Sequence, residues 1–107
     1  MLIIKKNGES SYLATLTGRK EELGRNDCHI IRREITTMLR PHREIILDIK
    51  RIKTIDNGGF NILEDLMNLV NIKNCVLRFI NVESSISSRI KKLSEKKAWK
   101  YDEMDVD

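Results

Sequence analysis

The sequence is short of several things, and each shortage closes off a class of function. Of its 107 residues two are cysteines, Cys28 and Cys75, which stand far apart and form no CxxC. Two reduced thiols are the reading that follows, not a disulfide framework. Cys28, His29, His42 and Cys75 are scattered along the chain, whereas zinc usually needs four ligands at recognisable spacings. No metal and no cofactor is expected. Long apolar runs are missing too: none approaches the ~20 residues needed to cross a bilayer. The opening Met1-Leu2-Ile3-Ile4 stops at Lys5-Lys6 without a small-residue cleavage site, so it reads as a first strand and not as a signal peptide. A cytoplasmic location is the expectation. Catalytic signatures are also absent, with no GxSxG, HExxH, Walker loop or motif of paired carboxylates, and an enzyme is not expected.

What is present is a globular composition, 40% hydrophobic and 34% charged, in a chain whose length suits one domain over 1–107. The net charge of +4 is mild and its excess is partly local. Arg89, Lys91, Lys92, Lys96, Lys97 and Lys100 cluster near the end, and Asp102, Glu103, Asp105 and Asp107 follow. A basic helix followed by an acidic tail is a solvated face in most proteins. A nucleic-acid surface would gain from interleaved aromatics, and only Trp99 and Tyr101 lie close, so no nucleic acid is expected. The minor alternative, a nucleic-acid or anionic-lipid surface over 89–100, predicts binding that weakens steeply with salt.

Along the chain, residues 2–6 read as a strand, Asn7-Gly8 as a hairpin turn, and 11–17 as a second, antiparallel strand with Tyr12, Ala14 and Leu16 on one face. Residues 18–25 are polar and glycine-bounded and read as a loop. Asn26 or Asp27 is a candidate N-cap for a helix carrying Ile31, Ile35, Met38 and Leu39, which Pro41 ends. The nearly continuous apolar run over 44–50 suits an interior strand buried on both faces. A short link and Thr54-Ile55-Asp56-Asn57-Gly58-Gly59 then lead into a helix with Phe60, Leu63, Leu66, Met67 and Val70 on its apolar side. Residues 71–74 read as a turn, 75–80 as a strand, and 81–85 as a capped turn with Ser84 and Ser85 as cap candidates. Ile86, Ile90 and Leu93 form a third helical stripe, and 99–106 reads as a last edge strand. The order β-β-α-β-α-β-α-(β) predicts an α/β fold, a mixed sheet of four to five strands covered by about three helices.

An interior strand with Asp48 near its end, then Ile52, then Ile55-Asp56-Asn57-Gly58-Gly59-Phe60 opening a helix with Leu63 and Leu66, resembles the STAS domain family of anti-sigma factor antagonists and related bacterial modules. The likeness runs over about 11–97 and is most specific over 47–66. In typical antagonists the turn reads Asp-Ser-Ser/Thr-Gly, and its first Ser is phosphorylated by a histidine-kinase-like ATPase that is also the anti-sigma factor. Asp56 and Gly59 match that turn, whereas Asn57 stands at the acceptor position and Gly58 at the next. Asn57 has no hydroxyl to phosphorylate and its amide is neutral, but Asn, like Ser, is a good N-cap.

The resemblance implies a protein-binding module for regulation and signalling that docks a partner ATPase or anti-sigma factor through Asp56, Asn57, Gly58, Gly59, Phe60 and Asn61, with Asn26 and Asp27 nearby, and without phosphorylation. The alternative it implies is an adaptor subunit on the ATPase of a phospholipid-transport ABC system. Asn57-Gly58 is also the dipeptide most open to spontaneous deamidation, which would place a negative charge at the acceptor position.

Overall fold

The computed structural model describes residues 1–93. The last strand read over 99–106 and the distal half of the basic segment lie outside the described residues. Strands β1 (Leu2–Lys6) and β2 (Ser11–Leu16) form the antiparallel hairpin that the Asn7-Gly8 signal marks. The loop is longer than a two-residue turn, closing with Asn7 N donating to Ser11 O at 2.8 Å. Inside the segment read as a loop lies a two-residue strand, β3 (Glu22–Leu23). It is followed by helix α1 (Arg25–Thr36), strand β4 (Glu44–Asp48), a second two-residue strand β5 (Thr54–Ile55), helix α2 (Asn57–Ile72) and strand β6 (Val76–Ile80). A third helix, α3, occupies 84–93. The main sheet has the order β1-β2-β4-β6, with β2, β4 and β6 mutually parallel. Each parallel step is bridged by a helix, α1 between β2 and β4 and α2 between β4 and β6, as parallel strands require.

Three readings of element ends are corrected. The first helix starts at Arg25, with Gly24 as N-cap, so Asn26 and Asp27 lie inside its first turn. The signal there was ambiguous because Asp27 does cap, from the third helical position: its carboxylate reaches back to Gly24 N at 2.9 Å, half of a capping box. The same helix ends at Thr36 and not at Pro41. Thr36 and Thr37 hydroxyls donate to the carbonyls of Arg32 and Glu34 at 2.6 and 2.7 Å, and the chain turns at His42, whose φ is 66°. Leu39 remains in the core although it has left the helix. Residues 71 and 72 read as a turn but belong to α2; the reversal comes at Asn74, with φ 61°.

The core lies between the helices and one face of the sheet. Ala14, Ile45, Leu47 and Leu77 point from the strands; Ile31 and Ile35 from α1; Leu63, Leu66 and Val70 from α2; Ile86, Ile90 and Leu93 from α3. Ile46 is also buried but faces the other way, in register with Leu13 and Arg78. The continuous burial of β4 thus comes from two different environments, helices on one side and neighbouring strands on the other. Glu44 on that second face accepts from Ser11 Oγ at 3.0 Å and pairs with Arg78 Nε at 3.1 Å. Among the described residues no helix is long and apolar enough to cross a membrane.

Candidate functional site

The two short strands decide where the site is. β3 and β5 pair in parallel, Glu22 with Thr54 and Leu23 with Ile55. The ladder is extended at both ends: Lys53 N donates to Glu21 O at 2.6 Å, and Asp56 N donates to Leu23 O at 3.1 Å. Each strand runs straight into a helix, β3 into α1 through Gly24 and β5 into α2 through Asp56. Two helix N-termini therefore open side by side at one end of the molecule. A Cβ built on Gly24 would lie 3.4 Å from Asp56 Oδ2 and 3.7 Å from Asp27 Oδ2. Asp27, far from residue 56 in sequence, is thus brought near it, and Asn26 lies exposed in the same first turn of α1.

Each terminus carries its own carboxylate cap. Asp56 is the N-cap of α2, with extended backbone, and its Oδ1 accepts from Gly59 N at 2.6 Å. Asp27 accepts from Gly24 N and also from Lys20 Nζ at 2.6 Å. The Lys20 hydrogen bond holds the Asp27 carboxyl below the usual carboxylate range, with Gly24 N–H acting in the same direction and burial against it. Both carboxylates also meet the positive ends of the helix dipoles.

The expectation that Asn57 could itself cap α2 is corrected: Asp56 does so, and Asn57 is the first helical residue. Its side chain has another engagement. Arg89 of α3 donates from Nη1 to Asn57 Oδ1 at 3.1 Å, and the same guanidinium lies over the Phe60 ring, 3.8 Å from its centroid. Phe60 is only 5% exposed, so the site presents the arginine above it rather than the ring. Asn26, Asp56, Asn57 and Asn61 are exposed. Asn61 borders a shallow groove between α2 and α3 whose other walls include Glu64, Lys92 and Leu93.

The two glycines do different things. A Cβ at Gly59 would meet Ile55 Cγ2, Cys28 Sγ and Asp56 Oδ1 at 3.0, 3.1 and 3.2 Å, so this position is where α1 and α2 approach closely. A Cβ at Gly58 would meet only the stem of Arg25, at 3.2 Å and beyond. Arg25 turns back along α1, its Nε donating to His29 Nε2 at 3.5 Å. Cys28 sits fully buried below the turn. Burial pushes its thiol pKa up to about 12, with the charges of Asp27 and Asp56 adding to the effect.

Other sequence candidates lie elsewhere. Thr54 is in β5, and Ser84 and Ser85 lie in the first turn of α3 rather than before it. Ser85 Oγ donates to Lys53 O at 2.6 Å, fastening α3 to the link that precedes β5. Asp48 holds the ends of β4 and β6 together, accepting from Lys50 N and Asn81 Nδ2, both at 3.0 Å. Among the described residues no group of three His, Cys, Asp or Glu side chains could hold a metal ion.

Sequence reasoning missed Arg89 and Arg25 as neighbours of the turn. For Arg89 a signal existed. It lies three residues after Ile86 and one before Ile90, on the flank of the apolar stripe, where a long basic side chain lays its stem along apolar surface. Arg25 had no such signal, because its place depends on the β3–β5 pairing.

Comparison with known proteins bears on the fold. No family model and no curated protein matches the chain. Among solved structures, the murine Solute Carrier 26 family member A9 (Slc26a9) anion transporter in the inward-facing state is similar at 15% identity with a TM-score of 0.64, over 81% of this chain and 14% of the transporter. The crystal structure of Mglu is similar at 14% identity and a TM-score of 0.59, over 77% of this chain and 20% of that one. The chain thus spans a fifth or less of these two proteins. The likeness to the transporter fits a STAS-like fold.

Proposed function

We propose that this chain is a protein-binding regulatory module of the anti-sigma factor antagonist type, acting by docking and not by catalysis. Its docking surface is the turn at 56–59 with Asn26 and Asn61 beside it, and its partner is an ATPase of the histidine-kinase-like class or an anti-sigma factor. The observation that carries this reading is the juxtaposition of two capped helix N-termini by the β3–β5 pair, which brings the first turn of α1 to Asp56 while Asn26, Asp56, Asn57 and Asn61 stay exposed. Polar, conformationally fixed groups at the ends of rigid elements suit recognition, because little ordering entropy is lost when a partner arrives. Asn57 has no hydroxyl, so docking here works without phosphorylation at this residue.

The test is affinity capture with the full chain as bait, in wild-type form and as Asn26→Arg and Asn61→Arg. These side chains are exposed and make no cap, unlike Asp56, whose replacement would also loosen α2. An ATPase recovered with the wild type and lost with both variants is the expected result. Equal recovery with all three baits would remove the turn as the docking surface. Recovery of an ABC transporter ATPase instead would favour the adaptor role.

A further inference from the structure

The Arg89 side chain joins two elements that the backbone leaves independent. Its guanidinium donates to the first residue of α2 and at the same time covers Phe60, one turn further along that helix. Among the described residues α3 is also anchored by the Ser85 hydroxyl on Lys53 O and by the apolar side chains of Ile86, Ile90 and Leu93. Ser85 holds the first turn, and the apolar side chains hold the buried face. Among the described residues, Arg89 joins α3 to the docking turn itself.

A single guanidinium with two engagements ties them together. It is planar and presents several N–H donors in a fixed fork, so moving it to follow one partner disturbs its fit to the other. Whatever changes the acceptor at residue 57 must change how Arg89 sits on Phe60, and so how firmly α3 is held. The acceptor is exposed and stands at the positive end of α2, where added negative charge is favoured.

We propose that Asn57 and Arg89 form a latch through which α3 reads the chemical state of residue 57. This rests on the docking reading in one respect: a partner that engages the Asn57 amide takes that acceptor from Arg89 and loosens α3. The coupling itself is a property of the free chain and is tested there. A neutral amide gives the latch an intermediate strength. A carboxylate at the same place would tighten it, through a charge-assisted bond of the kind that is about twice as strong as its neutral counterpart. A methyl group would release it.

The experiment is amide hydrogen exchange on the full chain, followed over 57–61 and 84–93, for wild type, Asn57→Ala, Asn57→Asp and the same pair in an Arg89→Ala background. Expected are exchange over 84–93 that rises roughly two- to fivefold in Asn57→Ala and falls by a similar factor in Asn57→Asp, the size set by one exposed cation–π and hydrogen-bond contact. Both effects should vanish when Arg89 is alanine, and Arg89→Ala alone should raise exchange over 57–61. Unchanged exchange over 84–93 in the Asn57 variants, or changes that persist without Arg89, would overturn the latch. The two readings fail separately. Capture that is lost in Asn26→Arg while the exchange effects are absent leaves docking and removes the latch. Reciprocal exchange effects with capture unaltered by Asn26→Arg do the opposite.

Discussion

The backbone nitrogen of Asp56 donates to the carbonyl oxygen of Leu23 at 3.1 Å, and this one bond aligns the last residue before α2 with the last residue of β3. It fixes what the turn meets on the side of α1. It sets Gly24 next to the Asp56 carboxylate, brings Asp27 close by, and lets α1 and α2 start in step, so that Cys28 of one faces Gly59 of the other.

Gly59→Ala should destabilise the fold by about 1–3 kcal/mol, the usual cost of forcing an extra carbon into a closed contact. The added Cβ would meet two side chains that cannot withdraw, Ile55 and the buried Cys28. Gly58→Ala should be near neutral. Its Cβ meets the Arg25 stem at the surface, and the crowding is offset by about 1 kcal/mol of helix propensity gained on leaving glycine. Urea denaturation of the two variants beside wild type checks the contrast. Equal loss at both positions would mean that helix contact is not the reason for Gly59.

Asp56→Ala should cost about 0.5–2 kcal/mol through loss of the cap on Gly59 N, while Asp56→Asn, which can still accept that hydrogen, should lose far less. Denaturation midpoints decide this. A loss in Asp56→Asn as large as in Asp56→Ala would point to the charge rather than the cap.

The Cys28 thiol should resist alkylation at pH 8–9 in the folded chain and react on addition of denaturant. Burial raises its pKa to about 12, so the thiolate that attacks the reagent is scarce and enclosed. The same shift sets a direction for stability. The folded state holds this proton more tightly than the unfolded one, so its contribution is complete below the unfolded thiol pKa and is lost as pH rises from there towards 12. Cys28→Ala should flatten that alkaline decline. Rapid labelling of the folded chain would contradict the burial.

Asp27 has the opposite sign. Its folded carboxyl is held below its ordinary value by Lys20, so the stability it contributes is present above the unfolded value of 3.8 and is lost as pH falls through the lower folded one. Asp27→Asn should therefore be less sensitive than wild type to acid below about pH 4. Denaturation followed across pH 2–6 measures it, and identical acid profiles would show that the Lys20 bond is not formed in solution.

Deamidation at Asn57-Gly58 should be slow in the folded chain despite the dipeptide. Asn57 lies in the first turn of a helix with its Oδ1 held by Arg89, which restrains the side chain from approaching the Gly58 nitrogen. Peptide mapping of aged protein should show no mass gain over 56–60 until the chain is unfolded. A gain in folded protein as fast as in unfolded protein would mean that helix and latch give no protection.

The fold class, the hairpin, the two crossovers and the turn that opens α2 were legible in the sequence because each is written locally. Asn7-Gly8 marks a hairpin, an apolar run marks β4, and an Asp-Asn-Gly-Gly stretch before Phe60, Leu63 and Leu66 marks a capped helix start. The identity of the cap was less legible. Asp56 and Asn57 are both good capping residues, as are Asn26 and Asp27, and local preference does not separate neighbours of the same kind. Only the tertiary structure decided what surrounds the turn. The strands β3 and β5, two residues each, carry no periodicity to read, and they form because each finds the other. From that pairing follow the approach of Gly24 and Asp27 to Asp56 and the enclosure of Gly59 against Cys28, while the reach of Arg89 to Asn57 follows from the packing of α3. Local chemistry fixes where a helix begins, whereas which helices begin together depends on contacts between segments distant in the chain, and no single stretch of sequence contains both.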